Sequence, residues 1–356
     1  MMKDKEKNPV KNDKTKFYLL LIKYREIGLM LIIIILGAIV TLRNPLFLTG
    51  TKIMFIIEDS SPLIILAAGM MCVLLVGSID ISIAGIMALS AMVTGMMMKS
   101  HLTEITVGAD TVKQSTPLIV IIVVGMAIGA LCGLINGLLI AYGNVIAIVT
   151  TLGTQYIFYG ITHVISFGQA IYKKDMSDDF TQFTRNSFLG INEKTWIMLI
   201  VILVVYVFVT YFRAGRHLYA VGSNREAAEM RGINAKRSIL LAHIIMGILA
   251  GLAGLLFASH DTKVTQDLKN SYEMYVIAAC VIGGVSVTGG SGKVTGVLLG
   301  ALTIGVINNG LPMMKLVGNA EFWKKFIQGA LILIAVISNV LIQREMKHQE
   351  LERRNI

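Results

Sequence analysis

The residues best suited to chemistry in this sequence are few and thinly spread. Asp80, in the stretch GSIDIS, is a lone acid set between apolar runs, with Ser82 beside it. An ionisable group in that setting is costly to keep and is retained as a gate, an ion pair or a coupling site. Asn136, Thr150, Thr151, Gln155, Asn308 and Asn309 also fall within or beside apolar runs. Their amides and hydroxyls donate and accept hydrogen bonds, which suits a neutral, hydroxyl-rich ligand lining a path. The same groups also knit helices together, so each has a structural reading beside the functional one.

Several chemistries are excluded. GGSGKVTG (289–296) has the look of a phosphate loop, but the order G-x-x-x-x-G-K-[S/T] fails at both ends, where Val287 and Val294 stand. The chain therefore brings no ATPase of its own, and the glycines are expected to let a span break and reverse close to its neighbours. Cys72, Cys132 and Cys280 form no CxxC, and the 6 histidines are scattered, so neither a metal centre nor a clustered catalytic site is expected. The 20 methionines are spread through apolar runs and read as packing.

The elements that must hold these residues are membrane spans. The chain has 356 residues, 55% hydrophobic and 15% charged, with a mean hydropathy of +0.71. Its apolar runs approach the roughly 17–25 residues needed to cross a bilayer, and they lack the alternation of a barrel. The reading is an all-α integral membrane protein of about ten transmembrane helices, some broken or short. They fall near 27–42, 60–77, 81–98, 117–142, 145–167, 195–212, 238–259, 272–287, 293–313 and 325–343. A basic arm (1–26) precedes this transmembrane domain (27–343), and a tail (344–356) follows. With the amino end cytoplasmic, the inner segments carry 19 of the 32 Lys and Arg, so both termini are expected inside. The net charge of +10 sits at span ends, which fits lipid headgroups and orientation, not nucleic acid.

One inner segment, 213–237, carries nearly all of GSNREAAEMRGINAKRS (222–238), too charged to enter the bilayer. It reads as a short helix: Ser223 as cap with Glu226 three residues on, Ala227, Ala228 and Met230 propagating it, and Gly232 ending it. The three apolar side chains leave a small patch among charges, a docking surface for another chain.

This segment resembles the cytoplasmic loop of bacterial ATP-binding-cassette (ABC) importer permeases, in which an EAA-and-glycine element forms a coupling helix held in a cleft of the ATPase subunit. The chain is similar to the ribose/monosaccharide permease family also in VGSIDISIAGIMALSAMV (76–93), GLINGLLIAYGNVIAIVTTLGTQYIFYGI (133–161) and YEMYVIAACVIGGVSVTGGSGKVTGVLLGAL (272–302). The resemblance runs from about residue 60 to 337. It implies a transmembrane subunit that moves a small sugar, or the sugar-like signal autoinducer-2, inward. Glu226, Ala227, Ala228 and Gly232 match the motif directly; Ser223, Asn224, Arg225, Met230, Arg231 and Ile233 join the docking surface by charge and position. The implied partners are ATPase subunits that bind ATP and Mg, a second permease chain of the same or a sister sequence, and an extracytoplasmic substrate-binding protein. Val145-Ile-Ala-Ile-Val before Thr151-Leu-Gly lacks the proline common in relatives, and Tyr159 stands where many carry arginine. Branched-chain amino acids or nucleosides are alternative cargoes. An ion-coupled carrier would need more acids in mid-span than Asp80 supplies.

Overall fold

In the computed structural model the described residues are 25–107 and 110–314, followed by 322–323, 325–327, 329–330, 333 and 337. The chain runs through α1 (Arg25–Arg43), a single turn at Pro45–Leu48, α2 (Gly50–Leu75), α3 (Ile83–Ser100), a hairpin of β1 (Thr103–Val107) and β2 (Asp110–Gln114), α4 (Leu118–Ala141) and α5 (Ala147–Ser166). After α6 (Asp178–Gln182) come α7 (Glu193–Tyr211), α8 (Arg213–Ser223), α9 (Arg225–Met230), α10 (Ala235–Asp261), α11 (Tyr272–Ile282) and α12 (Val294–Met313). Among the described residues seven helices, α1, α2, α3, α4, α7, α10 and α12, are long and apolar enough to cross a membrane.

Of the nine expected spans from 27–42 to 293–313, seven overlap one of these helices and two, 145–167 and 272–287, overlap other helices; three of them depart from expectation. The span placed at 60–77 starts at Gly50 and takes in Lys52, Glu58 and Asp59. Hydropathy trimmed these charges away, yet Lys52 and Asp59 are held by Asn309 of α12. The span placed at 272–287 is a helix of 11 residues, which at 1.5 Å per residue covers about half the ~30 Å hydrocarbon core. The span at 145–167 is α5, whose Thr150, Thr151, Thr154, Gln155, Thr162 and Ser166 are buried. It is not one of the seven, because a buried polar stripe on one side lowers its mean hydropathy, while Ile148, Val149, Leu152, Ile157 and Val164 are exposed on the other. The span at 325–343, the arm and the tail lie wholly or largely outside the described residues.

The buried centre is made by α2, α3, α10 and α12, while α1, α4 and α7 expose much of their apolar surface at the periphery. With no solvent-driven hydrophobic force between helices in lipid, close approach of small residues supplies the packing. On α4, Gly125, Gly129, Gly133 and Gly137 recur every fourth residue and face α10. A Cβ on Gly129 would collide with the carbonyl oxygen of Gly247, and one on Gly133 with that of His243.

At one end of the bundle lie the hairpin, α6 and two short antiparallel pairs, β3 (Ile171–Tyr172) with β6 (Lys263–Val264) and β4 (Ser187–Phe188) with β5 (Ile191–Asn192). The Asp178 carboxylate accepts from the Lys113 backbone at 2.8 Å, and Ser259 donates to the Phe180 carbonyl at 2.6 Å, so these pieces are bound to each other and to α10. At the opposite end lie α8, α9 and the 283–293 loop, and there Lys293 pairs with Glu26 at 2.7 Å. Inner-side segments expected from the charge distribution thus share one end of the molecule.

Candidate functional site

The α8–α9 segment is built as a bent arm. Asn224 has an extended backbone (φ −162°, ψ 108°), which stops α8 and lets its side chain accept from the Ala227 N–H at 2.9 Å. Asn224, not Ser223, is therefore the cap of α9. Ser223 is still helical, as the last residue of α8, and its hydroxyl turns to the Gly290 carbonyl at 3.5 Å, so the box with Glu226 does not form. Gly232 ends the turn with φ +81°, and the Ile233 N–H closes it onto the Ala228 carbonyl at 3.0 Å. Ala228 packs inward against Val221 and Ala235, with Ile233 beside them, and so holds the arm together instead of facing a partner. The outward surface is Arg225, Glu226, Met230 and Arg231, with Ala227 half-buried at its edge. Met230 is 83% exposed, an unbranched apolar side chain projecting among charges. Arg225 and Glu229 pair across one turn at 3.2 Å.

The arm meets the spans through glycines. The Gly290 N–H donates to the Leu75 carbonyl at the end of α2 at 3.0 Å. Gly222 of α8 lies so near that a Cβ there would collide with the Leu75 oxygen and stand 2.6 Å from the Gly290 nitrogen. Gly289 and Gly290 adopt φ +96° and +75°, a region L side chains avoid. Tyr219 donates to the Gly292 carbonyl at 3.0 Å, and burial pushes its hydroxyl up to about 12, so it stays a donor. GGSG is thus a joint where α11 ends, the chain reverses and α12 begins, as the failed phosphate-loop match implied.

Just inside this joint is a buried polar chain. Asp80 Oδ1 accepts from the Ser82 N–H at 2.9 Å and the Ser82 hydroxyl at 2.6 Å, and Asn136 of α4 donates to Ser82 Oγ at 2.7 Å. Asp80 Oδ2 lies 3.3 Å from His243 Nδ1 of α10, whose Nε2 is 3.0 Å from Ser78 Oγ. The order Ser78–His243–Asp80 is that of a nucleophilic triad. Burial decides against that chemistry: Asp80, Ser82, Asn136 and His243 are all 0% exposed and Ser78 5%, so no substrate reaches them. The chain is a strut fastening the α2–α3 turn to α4 and α10. Sequence reasoning missed His243. The signal was available, because an acid among spans requires a partner, and His243 sits inside the apolar run that became α10.

The other expected path residues divide between the two ends. Thr150 and Thr151 donate back to the Ile146 and Ala147 carbonyls at 3.0 and 2.9 Å, and Thr151 also approaches the Ile79 carbonyl at 3.4 Å beside Asp80. Gln155 is buried on the same stripe of α5, against α3. Asn308 and Asn309 lie toward the hairpin end, in a cleft of about 520 Å³ between α2, α10, α11 and α12. Asn309 donates to Asp59 at 2.8 Å and accepts from Lys52 at 3.3 Å.

Residues 52–336 match the family model described as the branched-chain amino acid transport system / permease component. The chain belongs to this permease family. It is 35% identical over 318 residues to the D-allose transport system permease protein AlsC of Escherichia coli (strain K12), covering 89% of this chain and 92% of the relative. It is 33% identical to the ribose import permease protein RbsC of Haemophilus influenzae, over 93% of this chain and 97% of that one. To the galactose/methyl galactoside import permease protein MglC of Escherichia coli (strain K12) it is 34% identical, over 88% and 93%. No solved structure matches. The permease's exposed α9 and its glycine joint fall inside the matched region.

Proposed function

We propose that the permease is the transmembrane subunit of an ABC importer for a small sugar, seated in a bacterial cytoplasmic membrane with α8 and α9 on the cytoplasmic side. The observation that carries this is the exposed, capped α9 mounted on the spans through a glycine joint, in a chain whose relatives are sugar permeases. A free connector needs neither the cap nor the joint. ATP and Mg belong to separate ATPase subunits, which dock on Arg225, Glu226, Met230 and Arg231. A second permease chain, identical or a sister, completes the pathway, and a binding protein delivers the sugar to the hairpin end.

This chain's residues supply mechanics in that cycle. The docked ATPase displaces α9, Asn224 and Ala228 keep α9 and α8 moving together, and Gly222 passes the displacement to the ends of α2 and α12. The strut at Asp80 and His243 holds the neighbouring helix ends in register meanwhile.

The test is uptake of labelled ribose, allose, galactose, rhamnose and autoinducer-2 into proteoliposomes holding the permease, its ATPase and its binding protein. Uptake of one of them that needs ATP and both partners is expected. Uptake by the permease alone, driven by an ion gradient, would refute the reading.

A further inference from the structure

The cleft at the hairpin end is not required by coupling, and its chemistry is specific. One wall is aromatic: Tyr272 stacks on Tyr275 with ring centres 5.5 Å apart and meets Phe257 edge-on at 5.2 Å. The facing wall is polar, with Asp59 of α2 and Asn308 and Asn309 of α12. Asn309 is committed to Asp59 and to Lys52, whereas the Asn308 amide and the Tyr272 hydroxyl make no hydrogen bond among the described residues. Both line the cleft. At its rim Lys269 and Ser271 hold φ of +52° and +66°. Side chains other than glycine adopt that region at a cost, and such strain gathers at ligand clamps. Lys269 is fixed there by Asp261 at 2.9 Å and by the Phe257 ring at 4.6 Å.

A neutral ring carrying several hydroxyls matches this arrangement. Its C–H face packs on aromatic rings, while its hydroxyls need groups that both donate and accept, which an amide and a phenol provide. A volume of about 520 Å³ lies in the range of small-molecule sites, roughly 300–1,000 Å³. The contrast within the same molecule is informative. The cavity of about 220 Å³ between α1 and α12 is lined by Leu36, Val40, Ile307, Leu311 and other largely apolar side chains, with no amide, carboxylate or hydroxyl side chain among them. An inorganic anion is disfavoured in the cleft by Asp59, and an amino acid zwitterion by the commitment of Lys269 to Asp261.

We propose that the cleft between α2, α10, α11 and α12 is a monosaccharide-binding site of the permease itself, with Asn308 and the Tyr272 hydroxyl contacting sugar hydroxyls and the Tyr272–Phe257 corner packing the ring. This rests on reading the chain as a sugar permease and adds a site within it. The cleft is a way station: sugar leaving the binding protein is held by the permease before the spans rearrange. A site of this kind binds weakly, because cargo must also leave it.

The experiment uses the full-length permease in lipid nanodiscs, without ATPase or binding protein, and saturation-transfer NMR with ribose, allose and galactose as probes and leucine as control. Saturation transfer to ring protons of at least one sugar, and none to leucine, is expected. Asn308→Ala and Tyr272→Phe, the latter keeping the aromatic packing, are each expected to weaken that binding about tenfold, while Lys113→Ala in the hairpin leaves it unchanged. In the complete importer the same two variants raise the KM for the external sugar–binding-protein complex or lower uptake at equal ATP hydrolysis. Absence of binding to the permease, or binding unmoved by both variants, overturns the cleft assignment even if the complete importer still moves sugar with ATP. Failure of the importer to move any of these sugars, with leucine carried instead, overturns the function and the cleft together.

Discussion

Replacing His243 by alanine tests whether the buried strut carries energy. Two bonds go: Nδ1 to Asp80 Oδ2 at 3.3 Å and Nε2 to Ser78 Oγ at 3.0 Å. A bond to a charged group is worth ~1.5–3 kcal/mol and a neutral one ~0.5–1.5, so the sum is ~2–4.5 kcal/mol. Hydrogen bonds between membrane spans average only ~0.6 kcal/mol in double-mutant cycles. The larger figure wins here because Ser82 satisfies only Oδ1, so without His243 the other carboxylate oxygen is left buried and unpaired among the described residues. Breaking a fully buried pair costs ~3–5 kcal/mol for that reason. The assay is a cycle of His243→Ala, Asp80→Ala and the double variant, read by reversible unfolding in detergent. A coupling of at least ~1.5 kcal/mol is expected. Coupling below ~0.5 kcal/mol would refute the strut, and would mean the two side chains are neighbours without being partners.

Two further predictions concern the arm. Asn224→Ala should cost ~0.5–2 kcal/mol of α9 stability, seen as roughly 2- to 30-fold faster amide exchange at 227–230, while Ser223→Ala changes that exchange little; the reverse pattern would restore Ser223 as the cap. Gly222→Ala puts a Cβ against the backbones of Leu75 and Gly290, where no flexible side chain can yield. At an overpacking cost of ~1–3 kcal/mol the protein should still insert and fold but lose ATP-driven uptake, and normal uptake by this variant would remove the joint from the mechanism.

The spans were legible because hydropathy at span length is a strong signal, and the exposed α8–α9 segment because its charge forbids burial. What was not legible depended on partners far apart in sequence. The early start of α2 at Gly50 was hidden by Lys52 and Asp59, whose membrane-edge position is permitted by Asn309, 257 and 250 residues away. His243 pairs with Asp80 across 163 residues. The cap failed for a local reason: serine and asparagine are comparable capping residues, and which one caps was settled by where α8 stops. α8 stops there because Gly222 and Ser223 are docked on Gly290. Polar residues within spans stand out in the sequence, but type alone cannot separate a threonine bonded to its own helix from an asparagine left open to a cleft.

The two sites are linked by the elements they share. α2 begins at the cleft, with Asp59 and Leu63 in its wall, and ends at Leu75 under Gly290. α12 begins beside the joint at Val294 and reaches the same cleft at Asn308 and Asn309. A displacement of α9 therefore bears on two helices that run the full distance to the cleft. Pro62 lies in α2 between Asp59 and Leu63. It lacks the N–H that would bond the Glu58 carbonyl, and its ring weakens the helix at that turn. Bending α2 at Pro62 moves Asp59 relative to Leu63, which changes the cleft's polar wall while leaving the lower helix intact. The proline thus stands where motion delivered at Leu75 would alter the grip on a sugar.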